Sequence, residues 1–429
     1  EELNTKLETS SEAFEEWRKT SLAYRCNLIK KAGHVLRENT EEYAQTITSE
    51  MGKPISESRS EIEKCAWVCD YYAEHAPSFL ADEQIPTDAT KSFVRHDPIG
   101  TVFAIMPWNF PFWQVFRFAA PTLTSGNTGL LKHASNVNGC AEKIEKIFLK
   151  AGYPKAVFQH LIVQHDQTEA IVSHHAVKAI TLTGSERAGS SVAQLAGKYI
   201  KKSLLELGGS NSFIVLEDAD LDLAVETAVK ARMMNTGQSC IAAKRFIVVE
   251  SVYDEFVSRF IKAVSKLKSG DPGNENTQVG PLARKDLAEE LQEQVQKSIK
   301  NGAKLLLGGK QTDSFHEPTV LGNVTEGMPA FDEETFGPLA AMIRASTVEE
   351  AFKLSEKSKF GLGVSLFTQN KNKALDYAEK VSDGALFINE LVKSDPRLPF
   401  GGTKISGYGR ELSRDGMMEF INRKVVYIK

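Results

Sequence analysis

The sequence has 429 residues, with 52 basic and 56 acidic side chains and a formal net charge of −4. This length is too great for one compact core and predicts two or three domains. The balanced charge shows no basic surface for nucleic acid and no apolar run is long enough to cross a bilayer, so we expect a soluble, cytoplasmic protein with neither partner.

The first part of the chain has the pattern of an amphipathic helical layer. Apolar residues recur at helical spacing from Ser11 to about Ser78, and Gly52–Pro54 interrupts the run. From Ala81 to Pro98 the residues become polar and extended, and Lys91–His96 predicts one strand of a hairpin. Such a projecting hairpin offers a strand edge to a partner subunit.

Strand and helix patterns then alternate, which is typical of βαβ units and a parallel sheet. The predicted strands are Thr101–Met106, Thr128–Lys132, Val157–Val163 and Ala179–Thr183. The predicted helices are Trp113–Ser125, Val137–Leu149, Gln167–His174 and Arg187–Tyr199. Such sheets bind ligands at the carboxyl ends of their strands. No GxGxxG motif follows a strand, so the common dinucleotide fingerprint is missing.

A second α/β pattern begins near Ser212, and we place the domain boundary at Gly208–Gly209. Its predicted strands are Phe213–Leu216, Arg245–Val249 and Lys304–Leu307, and its predicted helices are Leu221–Met234, Val252–Leu267 and Leu287–Asn301. The chain ends in the strand-like segment Lys424–Ile428. This segment could pair with the earlier hairpin or with another chain.

The stretch Asn235–Cys240 places a cysteine after a helical segment and a glycine turn. A thiolate here could attack carbon, provided that nearby donors stabilise the oxygen that becomes charged. Taken alone, the stretch also fits a buried cysteine after a helix C-cap. The five cysteines of the chain have no CxxC spacing, so we expect no disulfide framework, no zinc site and no other metal.

Further motifs carry polar groups that suit the same chemistry. Glu206 ends an apolar strand before two glycines, where burial would raise its pKa toward that of a useful base. Asn109 lies among aromatic residues after a strand and could donate to an oxyanion. Glu334 could bind ribose hydroxyls, and Phe400 opens a glycine-rich loop. Taken singly, Glu206 also fits a turn, and Glu334 also fits an acidic surface loop.

Together, these motifs resemble the aldehyde dehydrogenase superfamily over nearly the whole chain. The runs PWNFP, LTGS, LELGG, NTGQSC, EETFGP and PFGGTK occur in the family's order. The resemblance implies an α/β fold with a Rossmann-type cofactor-binding domain at residues 1–80 and 99–208. It also implies an α/β catalytic domain at residues 209–403 and a small β oligomerisation element at residues 81–98 and 404–429.

The resemblance implies catalytic roles for three residues. Cys240 would be the nucleophile that attacks the aldehyde, and Asn109 with the Cys240 backbone N–H would form the oxyanion hole. The thiohemiacetal would then give a hydride to the nicotinamide and leave a thioester. Glu206 would activate the water that releases the acid.

The resemblance also implies a cofactor site. The expected cofactor-binding residues are Trp108, Lys132, Ser135, Gly184, Ser185, Glu334 and Phe336. NAD-specific members often carry an acidic residue three positions after the lysine, where this chain has Ser135. Ser135 removes the repulsion of a 2′-phosphate, and Lys132 could pair with that phosphate. We therefore expect NADP to be preferred and NAD also to be accepted.

The predicted helix after Asn109 indicates the substrate. Arg117 and Gln114 lie three apart on one helix face, and a guanidinium among aromatic side chains needs an anion. The alternative is an arginine that faces solvent or is paired inside the protein. Arg117 matches a carboxylate-binding arginine of succinate semialdehyde dehydrogenases, whereas Met234 replaces the second arginine of some of them. The expected substrate-binding residues are Arg117, Gln114, Ser394 and Phe400.

The runs KHAS and WQVFR resemble the bacterial NAD(P)-dependent succinate semialdehyde branch. We therefore expect oxidation of succinate semialdehyde or a similar short carboxylated aldehyde. The alternatives are an enzyme for uncharged medium-chain or aromatic aldehydes, a coenzyme A-acylating dehydrogenase, and a non-catalytic homologue. Glu206 argues against acylation of coenzyme A, and Cys240 with Asn109 argues against a non-catalytic homologue. The hairpin and the C-terminal strand predict a homodimer or homotetramer.

Overall fold

The computed structural model describes residues 2–429, and Glu1 lies outside the described residues. The helices, in chain order, are α1 Glu2–Trp17, α2 Leu22–Glu38, α3 Thr40–Met51, α4 Ile55–Phe79, α5 Trp113–Thr124, α6 Asn138–Lys150, α7 Thr168–Ser173, α8 Glu186–Lys198, α9 Leu221–Met233, α10 Glu250–Val264, α11 Lys285–Lys300, α12 Pro329–Asp332, α13 Val348–Glu356, α14 Lys371–Ala378 and α15 Ser413–Met418. Three short 3-10 turns lie at Ser135–Val137, His165–Gln167 and Met234–Gly237.

The strands form two large sheets and three small ones. In chain order they are β1 Glu83–Gln84, β2 Lys91–Pro98, β3 Thr101–Met106, β4 Thr128–His133, β5 Phe158–His160, β6 Val177–Thr183, β7 Lys202–Glu206, β8 Asn211–Val215, β9 Ala243–Val249, β10 Lys304–Leu307, β11 Gln311–Thr312, β12 Phe315–His316, β13 Thr319–Gly322, β14 Leu339–Ala345, β15 Phe360–Gly361, β16 Val364–Phe367, β17 Leu386–Ile388, β18 Thr403–Lys404, β19 Gly407–Tyr408 and β20 Ile421–Ile428. The small pairs are β11 with β12 and β15 with β18.

The first large sheet has the strand order β19-β7-β6-β3-β4-β5, and all of its strands except β19 are parallel. Every residue of β4 is buried, as expected for a parallel strand covered on both faces. The carboxyl ends of the parallel strands meet at one edge, where Trp108, Lys132, Gly184 and Glu206 lie. The predicted strand Val157–Val163 is shorter in the structure, because the edge strand β5 pairs only with β4.

The second large sheet has the strand order β10-β13-β14-β9-β8-β16-β17 and is parallel apart from β10. The chain passes from the first sheet to the second between Glu206 and Asn211. This connection contains the boundary predicted at Gly208–Gly209. The rings of Phe213 and Phe367 stack at 4.5 Å between centroids and help to hold β8 against β16.

The C-terminal strand pairs with the hairpin of the same chain. β20 is antiparallel to β2 from Lys91 opposite Ile428 to Pro98 opposite Ile421, and β1 lies on the other side of β2. The predicted segment 404–429 is therefore divided, because β19 joins the first large sheet and only β20 joins the hairpin. The outer strand β20 exposes apolar side chains, including Val425 at 72%.

Helices α1 to α4 form the predicted helical layer. Gly52 ends α3 with a left-handed φ of 75°, which accounts for the predicted break. The longest helix, α4, packs along α2, α3 and α5 and so connects the layer to the first sheet. Among the described residues, no helix is both long and apolar enough to cross a membrane.

Candidate active site

The candidate nucleophile lies in a strained loop between α9 and β9. Asn235, Thr236 and Gly237 have left-handed φ angles of 54°, 54° and 75°. This conformation is unfavourable for residues with a Cβ, so the surrounding structure must hold it in place. Asn235 and Thr236 are fully buried, whereas Cys240 at the end of the loop is partly exposed.

Arg232 holds this loop from inside the protein. Its Nη2 donates to the carbonyl oxygens of Gly237 and Gly337, both at 2.6 Å, and its Nη1 donates to that of Ala243 at 3.1 Å. The side chain is fully buried, and burial lowers its pKa to about 9. Because these bonds engage the guanidinium, Arg232 does not replace the substrate-binding arginine that is missing at Met234.

Two cavities meet at Cys240. The first has a volume of about 390 Å³ and lies at the carboxyl edge of the first large sheet. It is lined by five of the seven predicted cofactor-binding residues: Trp108, Gly184, Ser185, Glu334 and Phe336. Helix α8 begins here after its N-cap Ser185, and a helix N-terminus attracts anionic groups such as phosphate.

Glu334 is fixed in this first cavity by two donors. Its Oε1 accepts from the Gly209 N–H at 2.9 Å and from Lys244 Nζ at 3.3 Å. Lys244 also donates to the carbonyl oxygens of Ser239 and Cys240, at 3.0 and 2.9 Å. The buried Lys244, which the sequence analysis did not identify, therefore connects the nucleophile loop to Glu334.

Lys132 and Ser135 do not line the first cavity. Lys132 is buried at the carboxyl end of β4, and within the described residues it forms no salt bridge. Burial lowers the pKa of Lys132, so an anion beside it would be stabilising. Ser135 is exposed and begins the 3-10 turn that follows β4.

The second cavity has a volume of about 600 Å³ and contains all four predicted substrate-binding residues. These residues are Arg117, Gln114, Ser394 and Phe400. Met234 also lines this cavity, in which Phe110, Trp113 and Met233 are among the apolar side chains. Cys240 and Gln114 line both cavities. The cysteine can therefore be reached from two sides.

Arg117 already has an anionic partner inside the protein. Its Nε pairs with the carboxylate of Glu411, and both side chains are buried. Its Nη2 donates to Thr183 Oγ1 at 3.3 Å, and the guanidinium carbon lies 4.6 Å from the centre of the Phe400 ring. The anion that the sequence analysis required for Arg117 is thus supplied by Glu411, a residue it did not identify.

Asn109 is positioned by the nucleophile loop. Its Nδ2 donates to the Gln238 carbonyl oxygen at 3.1 Å, and Asn235 Nδ2 donates to the Asn109 carbonyl oxygen at 2.8 Å. An amide nitrogen carries two hydrogens, and within the described residues one of those on Asn109 has an acceptor. The other is free to donate in the first cavity, which Asn109 and Cys240 both line.

Glu206 is buried at the end of β7 and lines neither cavity. Its two carboxyl oxygens have no hydrogen-bond partner among the described residues. Burial, reinforced by the nearby charge of Glu411, raises the pKa of Glu206 well above its usual range. The direction of this shift is the one that the sequence analysis predicted.

One face of α4 contributes three polar residues that the sequence analysis did not identify. Glu57 accepts from the Asn235 N–H at 2.6 Å, and Glu61 accepts from the N–H groups of Phe112 and Trp113 at 2.9 Å each. Lys64 Nζ donates to Ser394 Oγ at 2.8 Å. All three residues line the second cavity. A sequence signal exists, since positions 57, 61 and 64 share a helix face.

The chain belongs to the aldehyde dehydrogenase family, whose sequence model matches residues 1–426. This confirms the family and the α/β fold inferred from the sequence. The fold agrees with that of a solved structure described as a succinic semialdehyde dehydrogenase from Streptococcus pyogenes in complex with NADP+, at a TM-score of 0.97 and 36% identity. That comparison covers 99% of this chain and 94% of the other.

Two similar relatives carry more specific names. A probable succinate-semialdehyde dehydrogenase [NADP(+)] of Synechocystis is 48% identical over 100% of this chain and 95% of the relative. The succinate semialdehyde dehydrogenase [NAD(P)+] Sad of Escherichia coli strain K12 is 46% identical over 100% and 93%, respectively. The Gox0499 protein, known from a structural study of its cofactor and substrate selection, has a TM-score of 0.98 at 39% identity, covering 100% of this chain and 95% of the other.

The half-buried Glu57 predicts a pH-dependent stability. Burial raises its pKa from 4.5 to about 7, so the folded state binds this proton more tightly than the unfolded state does. The stability due to this proton is fully present below about pH 4.5 and is lost as the pH rises through about 7. Glu57→Gln keeps an acceptor for the Asn235 N–H without the charge, and its stability relative to wild type should rise over this window. Urea unfolding at a series of pH values measures the difference.

Glu74→Gln is the matched control, because Glu74 is an exposed residue of the same helix. Its unfolding midpoint should follow that of the wild type at every pH. Parallel profiles for wild type and Glu57→Gln would contradict the proposed burial cost.

Proposed function

We propose that this protein oxidises succinate semialdehyde to succinate, with NADP+ as the preferred cofactor and NAD+ as an accepted one. The observation that carries the proposal is the position of Cys240, which lines both cavities. A thiol between a cofactor site and a substrate site is the arrangement that cysteine-dependent aldehyde oxidation needs. The names of the two relatives above support the choice of substrate and cofactor.

Cys240 Sγ would attack the aldehyde carbon as a thiolate, forming a C–S bond and leaving the oxygen as an oxyanion. Asn109 Nδ2 and the Cys240 backbone N–H would donate to that oxygen. When bound, NADP+ supplies the carbon that accepts the hydride. Glu206 would take a proton from the water that cleaves the resulting thioester, which releases the acid and restores the thiol.

The first cavity has the groups that a nicotinamide dinucleotide needs. The N-terminus of α8, with Gly184 and Ser185, would hold the pyrophosphate. Glu334 would accept from ribose hydroxyls, and Phe336 would pack beside the nicotinamide ring, next to Trp108. Lys132 would pair with a 2′-phosphate, and Ser135 leaves that phosphate free of repulsion. Trp108 meets Phe336 edge to face at 5.8 Å, which rigidifies this end of the site.

A second candidate function is the oxidation of uncharged aldehydes. It is favoured by the Arg117–Glu411 pair, because a guanidinium that already has a carboxylate partner attracts a substrate carboxylate less strongly. The aromatic and methionine side chains of the second cavity would also suit an apolar chain.

A comparison of two aldehydes of equal chain length tests the substrate. With NADP+, kcat/KM for succinate semialdehyde should exceed that for butanal by roughly tenfold or more, since a charge-assisted hydrogen bond contributes about 1.5–3 kcal/mol. Steady-state NADPH absorbance gives both values. An equal or higher kcat/KM for butanal would favour the second candidate instead.

The same assay with NAD+ in place of NADP+ measures the cofactor preference of the wild type. Ser135→Glu introduces a carboxylate beside the proposed 2′-phosphate position and should lower the ratio of NADP+ to NAD+ efficiency by roughly tenfold or more. An unchanged ratio would show that Ser135 does not face the 2′ position.

Replacement of the proposed base should separate the two halves of the reaction. Glu206→Gln should keep a rapid burst of about one NADPH per active site, because thioester formation does not need this carboxylate. Steady-state turnover should fall roughly 10²–10⁴-fold. Stopped-flow absorbance measures both phases, with Cys240→Ser as the variant that shows neither. Loss of the burst in Glu206→Gln would assign Glu206 to the first half instead.

We also propose that two or four copies assemble through the three-stranded sheet. The support is its outer strand β20, which exposes Val425, Tyr427 and Ile428 together with unpaired backbone groups. Sedimentation velocity should report a dimer or tetramer, and Val425→Asp should weaken it. A monomeric wild type, or a variant that assembles unchanged, would contradict this interface.

A further inference from the structure

We propose that Lys64 is a specificity-determining residue that binds the remote carboxylate of the substrate. This inference rests on the proposed function and names the residue that replaces the arginine missing at Met234. Lys64 is on α4, and it lines the second cavity together with Ser394, Arg117 and Cys240. A cation from the helical layer would thus bind the carboxylate, since the nucleophile loop has Met234 in place of an arginine.

Among the cations that line the second cavity, Lys230 is exposed to solvent, whereas Lys64 is half-buried and has no salt bridge within the described residues. The carboxylate of Glu411 neutralises Arg117, and at the edge of the cavity Lys393 pairs with Glu390 at 2.8 Å. Within the described residues, Lys64 forms no salt bridge and donates only to the neutral hydroxyl of Ser394. A cation that is partly removed from water without an anionic partner is a binding site for an anion.

The carboxylates on the same face of α4 are occupied. Glu61 pairs with the buried Lys53 and accepts from two backbone N–H groups. Glu57 accepts from the Asn235 N–H, and burial raises its pKa to about 7. Neither one forms a salt bridge with Lys64 within the described residues.

Ser394 gives the second donor of this subsite. Its Oγ accepts from Lys64 Nζ at 2.8 Å and from Trp113 Nε1 at 3.1 Å. A hydroxyl has two acceptor lone pairs and one hydrogen, so both lone pairs are in use and the hydrogen is left to donate. A carboxylate, which only accepts, fits beside this hydroxyl and the remaining hydrogens of the ammonium group.

The surroundings of Lys64 favour an anion in the same way. Its Nζ lies 4.2 Å from the centre of the Trp113 ring, which fixes the ammonium group against the cavity wall. Burial, together with the nearby charge of Arg117, lowers the pKa of Lys64 to about 8. A bound carboxylate would oppose this shift, because its negative charge stabilises the charged form of Lys64.

Kinetics with a charged and an uncharged aldehyde of equal chain length test this assignment. Lys64→Met keeps the length of the side chain and removes the charge. It should raise KM for succinate semialdehyde roughly 10–100-fold more than KM for butanal, with little change in kcat. Lys64→Arg should recover most of the loss. Lys393→Met is the matched control, since Lys393 is an exposed cation at the edge of the same cavity whose charge Glu390 already balances.

Inhibition by succinate and by butyrate gives a readout that needs no turnover of the semialdehyde. Lys64→Met should weaken inhibition by succinate, which has a second carboxylate, far more than inhibition by butyrate. Equal changes for both acids, or for both aldehydes, would overturn the role of Lys64. A wild type that does not prefer the semialdehyde would instead overturn the proposed function, while the succinate comparison would still decide the role of Lys64.

Discussion

The carboxylate of Glu61 is the contact on which the geometry of the site depends. It accepts from the first N–H groups of α5, at Phe112 and Trp113, and pairs with the buried Lys53. Neither charge would be tolerated alone in the interior, because an unpaired buried ion costs several kcal/mol. Helix α5 carries Gln114 and Arg117 and follows directly on Asn109. The pair thus fixes the proposed oxyanion donor and one wall of the second cavity together.

The helical layer is consequently part of the site as well as a cover for the first sheet. From one face of α4, Glu57 reaches the nucleophile loop, Glu61 reaches α5 and Lys64 reaches Ser394 in the C-terminal part of the chain. The left-handed residues before Cys240 need such support, since a loop in this conformation would relax if its buried partners were lost. Arg232, on α9, supplies the same support, because it donates to carbonyl oxygens of the loop and of Gly337.

Local sequence patterns predicted the helices and strands well. The prediction of the site was limited by side chains that pair across long stretches of the chain. The strands Thr101–Met106 and Lys304–Leu307 have the predicted bounds, because apolar runs between turn residues are a local signal. The family motifs predicted five cofactor-binding candidates that line the first cavity and four substrate-binding candidates that line the second, whereas Lys132, Ser135 and Glu206 line neither. The Arg117–Glu411 pair could not be predicted from spacing, because it joins α5 to a loop near the C-terminus. The roles of residues 57, 61 and 64 were also missed, because their partners lie far away in the sequence. In the sequence alone, their charges look like those of a solvated helix face.

Burial disfavours the charged forms of both candidate reacting groups. It raises the pKa of Cys240 to about 11, with Arg117 and Lys244 opposing the shift, and it raises that of Glu206 well above the usual range. Glu411 cancels most of the charge of Arg117, so neither a thiolate nor a second carboxylate is strongly favoured beside it.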